Sequence, residues 1–370
     1  MTGWDKYSKI ITNLFIMKAI ILAGGSGTRL WPVSRKQRPK QIQPFLDSDT
    51  LLQKTTKRMG KIFSPQDIII STSQGQLADI KKQLVGLARQ NVILEPCRKD
   101  TAAAIGLAAV YLHKKNPQES LVTINADHYI KNEKKYFAIF KTLQQTLRQN
   151  PQTTVLVGVK PTYPETGYGY IKMGRRLGKN LYQVSRFVEK PNYQTAQKYL
   201  QNGHYLWNPT VLAWRVDRLL NLYQQYLPKT YQILKKIEAA VGTKNETAVL
   251  AKEFAKIKPI SIDYGILEKI SDQIVVIAAS YQFTDIGHWE TLRSVLDNKE
   301  ANVVKGLSVA YDSEGNLIYN FTDKLIATAG LKNTIIVQTD DALFVCPRER
   351  AQDAKMIVKI LEERGLNQFL

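Results

Sequence analysis

The sequence predicts an α/β protein, with a mixed, mostly parallel sheet flanked by helices and a small all-β segment behind it. Three observations lead there. From Lys18 onward, strand-length apolar runs alternate with helical stretches, the pattern of strands joined by crossover helices. Residues 301–346 change to short β-rich runs broken by Asp, Gly and Asn. No apolar run reaches the ~18–20 residues needed to span a bilayer.

The early strands are predicted at Ala19–Leu22, Asp67–Ser71, Asn91–Leu94, Leu121–Ile124 and Thr154–Val159. Between them, Thr101 to about His113 is alanine-rich, with Asp100 placed as its N-cap. Tyr136, Phe140, Leu143 and Leu147 recur three to four residues apart, which is one helix face. Further on, Gly167–Ile171 and Tyr182–Val188 read as strands and 216–258 as helical. The tail offers strands at Leu307–Tyr311, Leu317–Asn320, Thr334–Gln338 and Ala342–Val345. A closing helix at about 350–364 carries Ile357, Ile360 and Leu361.

Composition narrows the function classes. Of 370 residues, 44% are hydrophobic and 23% charged, which excludes a largely disordered chain. Cys97 and Cys346 lie far apart with no CxxC partner, so a reducing cytoplasm fits better than a disulfide scaffold. Residues 1–16 lack the apolar centre and cleavage site of a signal peptide and read as an N-terminal extension. The 52 basic and 32 acidic residues give a net charge of +20. The basic residues are scattered, and no zinc, helix-turn-helix or RNP pattern accompanies them, so no nucleic-acid partner is expected.

The sharpest local signal is Ala23-Gly24-Gly25-Ser26-Gly27-Thr28-Arg29-Leu30-Trp31-Pro32, directly after the first strand. Glycines let the backbone approach a ligand closely, and successive N–H groups can cradle phosphate oxygens. Arg29 adds a planar fork suited to phosphate. A plain strand-to-helix turn is the competing reading. Neither GxxxxGK[ST] nor a completed GxGxxG is present, so a P-loop hydrolase and a nicotinamide enzyme both recede.

This loop, followed by Arg38-Pro39-Lys40-Gln41, resembles the signature of the sugar-nucleotide pyrophosphorylases. The Trp-Pro ending and the Pro-Lys-Gln variant are similar to the mannose-1-phosphate guanylyltransferase branch. Further segments follow in that family's order: Glu95-Pro96-Cys97-Arg98-Lys99-Asp100-Thr101, Asn125-Ala126-Asp127-His128, Thr166–Ile171, Glu189-Lys190-Pro191, Trp207-Asn208, Ser261–Lys269 and Thr284–Trp289. Departures from the pattern stand at Asp100, Pro209, Thr210 and His288. Thr210 occupies a place where the family has glycine.

The resemblance implies a Rossmann-like nucleotidyltransferase domain at 17–300 and a small β-helix-like domain at 301–370. It implies an enzyme that joins GTP and mannose 1-phosphate into GDP-mannose and pyrophosphate. Mg²⁺ would be held by Asp127 and Asp285. Ala23, Gly24, Gly25, Ser26, Gly27, Thr28, Glu95 and Thr101 would bind the nucleotide. Glu95 could accept from both guanine N1–H and the exocyclic amine, a pair that adenine lacks. Gly169, Glu189 and Asn208 would line the sugar. Arg29 would hold the β- and γ-phosphates, Lys40 would neutralise charge on the bridging oxygen, and Lys190 would orient the attacking phosphate. A cytoplasmic homodimer of the single-function form, free of membrane, is expected. A guanylyltransferase for another sugar 1-phosphate, and a catalytically impaired nucleotide-sugar-binding regulator, are the alternatives.

Overall fold

Lys18–Leu22 (β1), whose three central residues are buried, lies among the parallel strands of a ten-stranded mixed sheet. The computed structural model describes residues 17–25, 27–296 and 301–370. The extension at 1–16 and Ser26 of the glycine-rich loop lie outside the described residues. The chain forms two compact units. The first holds the described residues up to Gly24 together with Thr56–Asn125 and Ile130–Phe283. The second holds Gly25–Thr55, Ala126–Tyr129 and Thr284–Leu370.

In the first unit β1 pairs in parallel with Ile68–Ser73 (β2) and with Ser120–Asn125 (β4), and β2 pairs in parallel with Val92–Glu95 (β3). Strands buried on both faces read as continuous apolar runs, which is why these were legible. The glycine-rich loop and Glu95 stand at the carboxyl ends of β1 and β3, and β4 ends two residues before Asp127. Such ends are where open parallel sheets bind ligands. After the short strand His128–Ile130 (β5), pairing changes. Thr154–Val159 (β6) runs parallel to Ile274–Ala279 (β11). Gly169–Arg176 (β7), Leu181–Val188 (β8), Tyr205–Asn208 (β9) and Leu212–Arg215 (β10) pair antiparallel with their neighbours. Hairpin-length connections such as the one between β7 and β8 permit only antiparallel neighbours.

The helices follow their sequence patterns. In Glu133–Gln149 the four anticipated residues are buried, and the Asn132 side chain accepts from Lys135 N–H at the N-terminus. The alanine-rich helix, Asp100–Lys115, buries ten residues. A Cβ on its Gly106 would sit 2.7 Å from Leu234 and 3.1 Å from Tyr223, so small residues here allow close helix packing. Asp100 is not a conventional N-cap. It holds φ +67°, and its Oδ1 accepts from the adjacent Thr101 N–H at 2.7 Å. Left-handed backbone favours Asn and Asp over most residues, which accounts for the residue type found here. Residues 216–258 resolve into three helices, Val216–Tyr226, Pro228–Ala240 and Glu246–Phe254. Among the described residues no helix is long and apolar enough to cross a membrane.

In the second unit the tail winds as parallel rungs. Val303–Lys305 (β13), Leu317–Asn320 (β15) and Thr334–Gln338 (β17) stack in parallel, and Leu343–Pro347 (β18) closes that face antiparallel. Ser308–Tyr311 (β14) and Ile326–Ala329 (β16) form a second face. (Phe283–Asp285, β12, pairs with β5.) Buried asparagines satisfy the corners: Asn316 donates to Leu331 O, and Asn320 donates to Leu307 O. The closing helix spans Ala354–Glu363 and buries Ala354 and Val358, whereas Ile360 of the anticipated face is exposed.

The glycine-rich loop is anchored to this coil. Trp31, Phe45, Trp289, Tyr319 and Val337 share one apolar cluster. Trp289 Nε1 donates to Trp31 O at 2.9 Å, and Tyr319 OH donates to Phe45 O at 2.9 Å. Trp31 Nε1 donates to Phe369 O at 2.8 Å.

Gly306 is required by the coil: at φ +86°, an added Cβ would lie 2.2 Å from Asn320 O. Gly306→Ala is expected to destabilise the second unit by about 1–3 kcal/mol, read as a lower urea midpoint.

Candidate active site

Two aspartates 158 positions apart in sequence meet on one lysine. Lys40 Nζ lies 2.9 Å from Asp127 Oδ2 and 2.8 Å from Asp285 Oδ1, and it donates to Ile286 O at 3.2 Å. Asp127 lies just before β5 and Asp285 ends β12, so the pairing of those two strands brings the carboxylates together. Asp127, His128 and Asp285 each place one ligand atom within 4.8 Å of the others. Burial alone would lower the Lys40 pKa, but the two carboxylates overcome it and raise the ammonium above its ordinary value. Burial likewise opposes ionisation of Asp285. Lys40 first, then His128 and Arg29, reverse that and hold its carboxyl below the usual range. Carboxylate oxygens held this way are hard donors that suit Mg²⁺.

The loop glycines differ in what the fold demands of them. Gly27 adopts φ +62°, and a Cβ there would sit 2.7 Å from the Lys40 stem and from Ser34 Oγ. A Cβ on Gly24 would meet Glu95 Oε1 at 3.4 Å. Gly25 is exposed and would meet nothing within 4 Å, while its carbonyl accepts from Gln41 Nε2 at 3.1 Å. Thr28 and Arg29 lie in a 3-10 turn with the Arg29 side chain exposed.

Glu95 is buried at the end of β3, and its Oε1 accepts from Ser71 Oγ at 3.1 Å. Burial lifts its carboxyl to about 7, with Ser71 and Arg98 opposing the rise. Ala23 N–H, beside Gly24, donates to Ser71 O at 2.8 Å. Thr101 Oγ1 accepts from Ile262 N–H at 2.9 Å, which ties the start of the alanine-rich helix to the Ser261–Gly265 segment.

A second cluster in the same unit gathers Gly169, Glu189 and Asn208, because Gly169 is the register partner of Asn208 across β7 and β9. A Cβ on Gly169 would sit 2.5 Å from Glu189 Oε2. That oxygen is buried with no hydrogen-bond partner, while Glu189 Oε1 meets Lys190 Nζ at 3.0 Å. Lys190 is half-exposed and holds φ +46°. Sequence reasoning assigned no role to Asp263, which is buried here and accepts from Asn208 Nδ2 at 2.9 Å. Burial and then Glu189 raise the Asp263 carboxyl. The Ser261–Lys269 motif was the signal that pointed at it. Asn208 Oδ1 in turn accepts from Thr210 N–H at 2.9 Å, so both ends of the amide are fixed from within.

Two departures from the family pattern acquire physical accounts. His288 Nδ1 accepts from Thr291 N–H at 3.4 Å, the N-cap task a serine would perform for the helix Trp289–Leu296. Thr210 holds φ +56°, a conformation that a β-branched residue adopts only under strain and glycine adopts freely. Thr210→Gly is therefore expected to stabilise the fold by about 0.5–1 kcal/mol, measured by urea unfolding. A clear loss would mean that the threonine side chain packs usefully.

Residues 18–302 match the family described as Nucleotidyl transferase, and residues 306–361 match the MannoseP isomerase/GMP-like beta-helix domain. The chain is 32% identical over 365 residues to mannose-1-phosphate guanylyltransferase 2 of Escherichia coli O157:H7, covering 95% of this chain and 75% of that one. It is 33% identical over 360 residues to a mannose-1-phosphate guanylyltransferase of Klebsiella pneumoniae, again covering 95% and 75%. A crystal structure from Thermus thermophilus, described as a mannose-1-phosphate geranyltransferase, superposes with a TM-score of 0.84 at 31% identity and covers 94% of this chain and all of that one. The chain is a nucleotidyltransferase and belongs to the mannose-1-phosphate guanylyltransferase family.

Proposed function

We propose that the protein transfers the guanylyl group of GTP to α-mannose 1-phosphate. A phosphate oxygen of the sugar phosphate attacks the α-phosphorus, the bond from that phosphorus to the β-bridging oxygen breaks, and pyrophosphate leaves with GDP-mannose formed. The observation that carries this reading is the convergence of Asp127 and Asp285 on Lys40. No covalent intermediate is invoked, so catalysis consists of positioning and charge neutralisation.

The chain's own groups divide the work. Backbone amides from Gly24 to Thr28, with Arg29, hold the β- and γ-phosphates. Gly25, whose Cβ position is open, leaves the backbone approachable there. Glu95 reads guanine. Gly169 leaves space for the Glu189 carboxylate, whose unpartnered oxygen accepts from a sugar hydroxyl. Asp263 holds Asn208 in place beside it. Lys190 draws the sugar phosphate toward the reacting phosphorus. Mg²⁺ would be held by Asp127 and Asp285 and would supply charge stabilisation at the α-phosphate oxygens. The substrates and the two free cysteines fit a reducing cytoplasm.

The deciding experiment incubates the protein with Mg²⁺, GTP or ATP, and one of mannose, glucose or heptose 1-phosphate in separate reactions, with each product identified by mass spectrometry. GDP-mannose is expected as the main product, with ATP a poor donor. Preference for another sugar would redirect the assignment to that 1-phosphate. Asp285→Asn is expected to lower turnover by about 10²–10³-fold, with an unchanged circular dichroism spectrum.

Glu95 gives a pH signature. Its folded-state value of about 7 lies above the ordinary 4.5, so the carboxyl is protonated in acid and ionises as pH rises through about 7. Only the ionised form accepts both guanine hydrogens. The KM for GTP is expected to fall between pH 6 and 8, and Glu95→Gln to flatten that dependence. The same pH profile in both proteins would remove Glu95 from base recognition.

A further inference from the structure

Lys40 is positioned less as a phosphate ligand than as a cation already seated between two anions. Its ammonium has three N–H donors, and the structure supplies three oxygens: Asp285 Oδ1 at 2.8 Å, Asp127 Oδ2 at 2.9 Å and Ile286 O at 3.2 Å. The residue is 7% exposed. Its stem packs so closely on Gly27 that a Cβ there would overlap it at 2.7 Å. The stem is therefore fixed at its base, and only the outer methylenes can redirect the charge. The two carboxylates that hold the ammonium are the same two that would hold a divalent ion.

We propose that Lys40 is a tethered occupant of the metal site. In the free protein it neutralises Asp127 and Asp285 and thereby opposes binding of a divalent ion on its own. When a nucleotide arrives, its phosphates offer the ammonium a second anionic partner, and the carboxylates are released to the ion that travels with the nucleotide. Metal and nucleotide then bind as a pair. This inference rests on the metal role proposed above for the two aspartates. It adds that their availability is controlled by this lysine.

The probe is Mn²⁺, titrated into the full-length protein without nucleotide and followed through the electron paramagnetic resonance signal of the free ion. Lys40→Met keeps the stem and removes the charge, and Lys40→Gln keeps a donor should the methionine variant fold poorly. Either variant is expected to bind Mn²⁺ at least about tenfold more tightly than wild type, equivalent to about 1.4 kcal/mol. Adding Asp285→Asn should abolish the gain. With GTP present, wild type should bind Mn²⁺ through Asp285, and the advantage of the variants should shrink. If nucleotide-loaded wild type binds Mn²⁺ through Asp285 but removing the Lys40 charge tightens nothing, the tethered-occupant inference is overturned and the metal role stands. If no protein shows Asp285-dependent Mn²⁺ binding, with or without GTP, the metal role itself fails and this inference fails with it.

Discussion

The arrangement of the second unit depends on compensating two carboxylates that lie close together. Two negative charges held this close in a partly buried setting repel one another unless a cation stands between them. Lys40 provides that cation from a segment remote in sequence, and so ties together three stretches of chain: 25–55, 126–129 and 284 onward. Removing one partner would leave uncompensated charge, which costs more than the pair itself contributes.

The rest of the second unit keeps that lysine in register. Trp31 and Phe45 flank Lys40 in sequence, and both are buried in the cluster that contains Trp289 and Tyr319. The indole of Trp289, four residues after Asp285, donates to the carbonyl of Trp31. One carboxylate and its counter-ion are thus indexed to each other through a buried indole–carbonyl bond. In the first unit Asn208 is fixed by a comparable relay, from Asp263 through its amide to the backbone of Thr210.

What the sequence disclosed, and what it did not, follows from the range of the interactions. Buried strands such as Thr154–Val159 announce themselves because burial on both faces leaves no room for polar residues. The Glu133–Gln149 helix is equally plain from its periodic face. Val303–Lys305 is only three residues long, and Ile326–Ala329 buries alternate residues, so neither shows the unbroken buried run of Leu317–Asn320. That Trp31 and Phe45 belong with the tail could not be read locally, since no repeat in sequence encodes a contact 258 residues apart such as Trp289 to Trp31. For the site, the motifs named Asp127, Asp285 and Lys40 separately. The resemblance aims Lys40 at a bridging oxygen, and the structure places its ammonium between the two acids. Asp263 lies inside a matching motif, but nothing local in the sequence tells that its carboxylate is buried against an amide 55 residues away.

The anchoring of residues 25–55 into the coil sets a rule for dissecting this protein. Cutting after about residue 300 to obtain a minimal catalytic fragment would strip Trp31 and Phe45 of Tyr319 and Val337, their partners from the coil. The stump would expose aromatic side chains and lose the scaffold that aims Lys40. The boundary that sequence matching draws between a catalytic portion and an accessory tail is therefore not one that a protease or a cloning strategy can respect. For this reason, lesions deep in the tail belong in any inventory of loss-of-activity alleles.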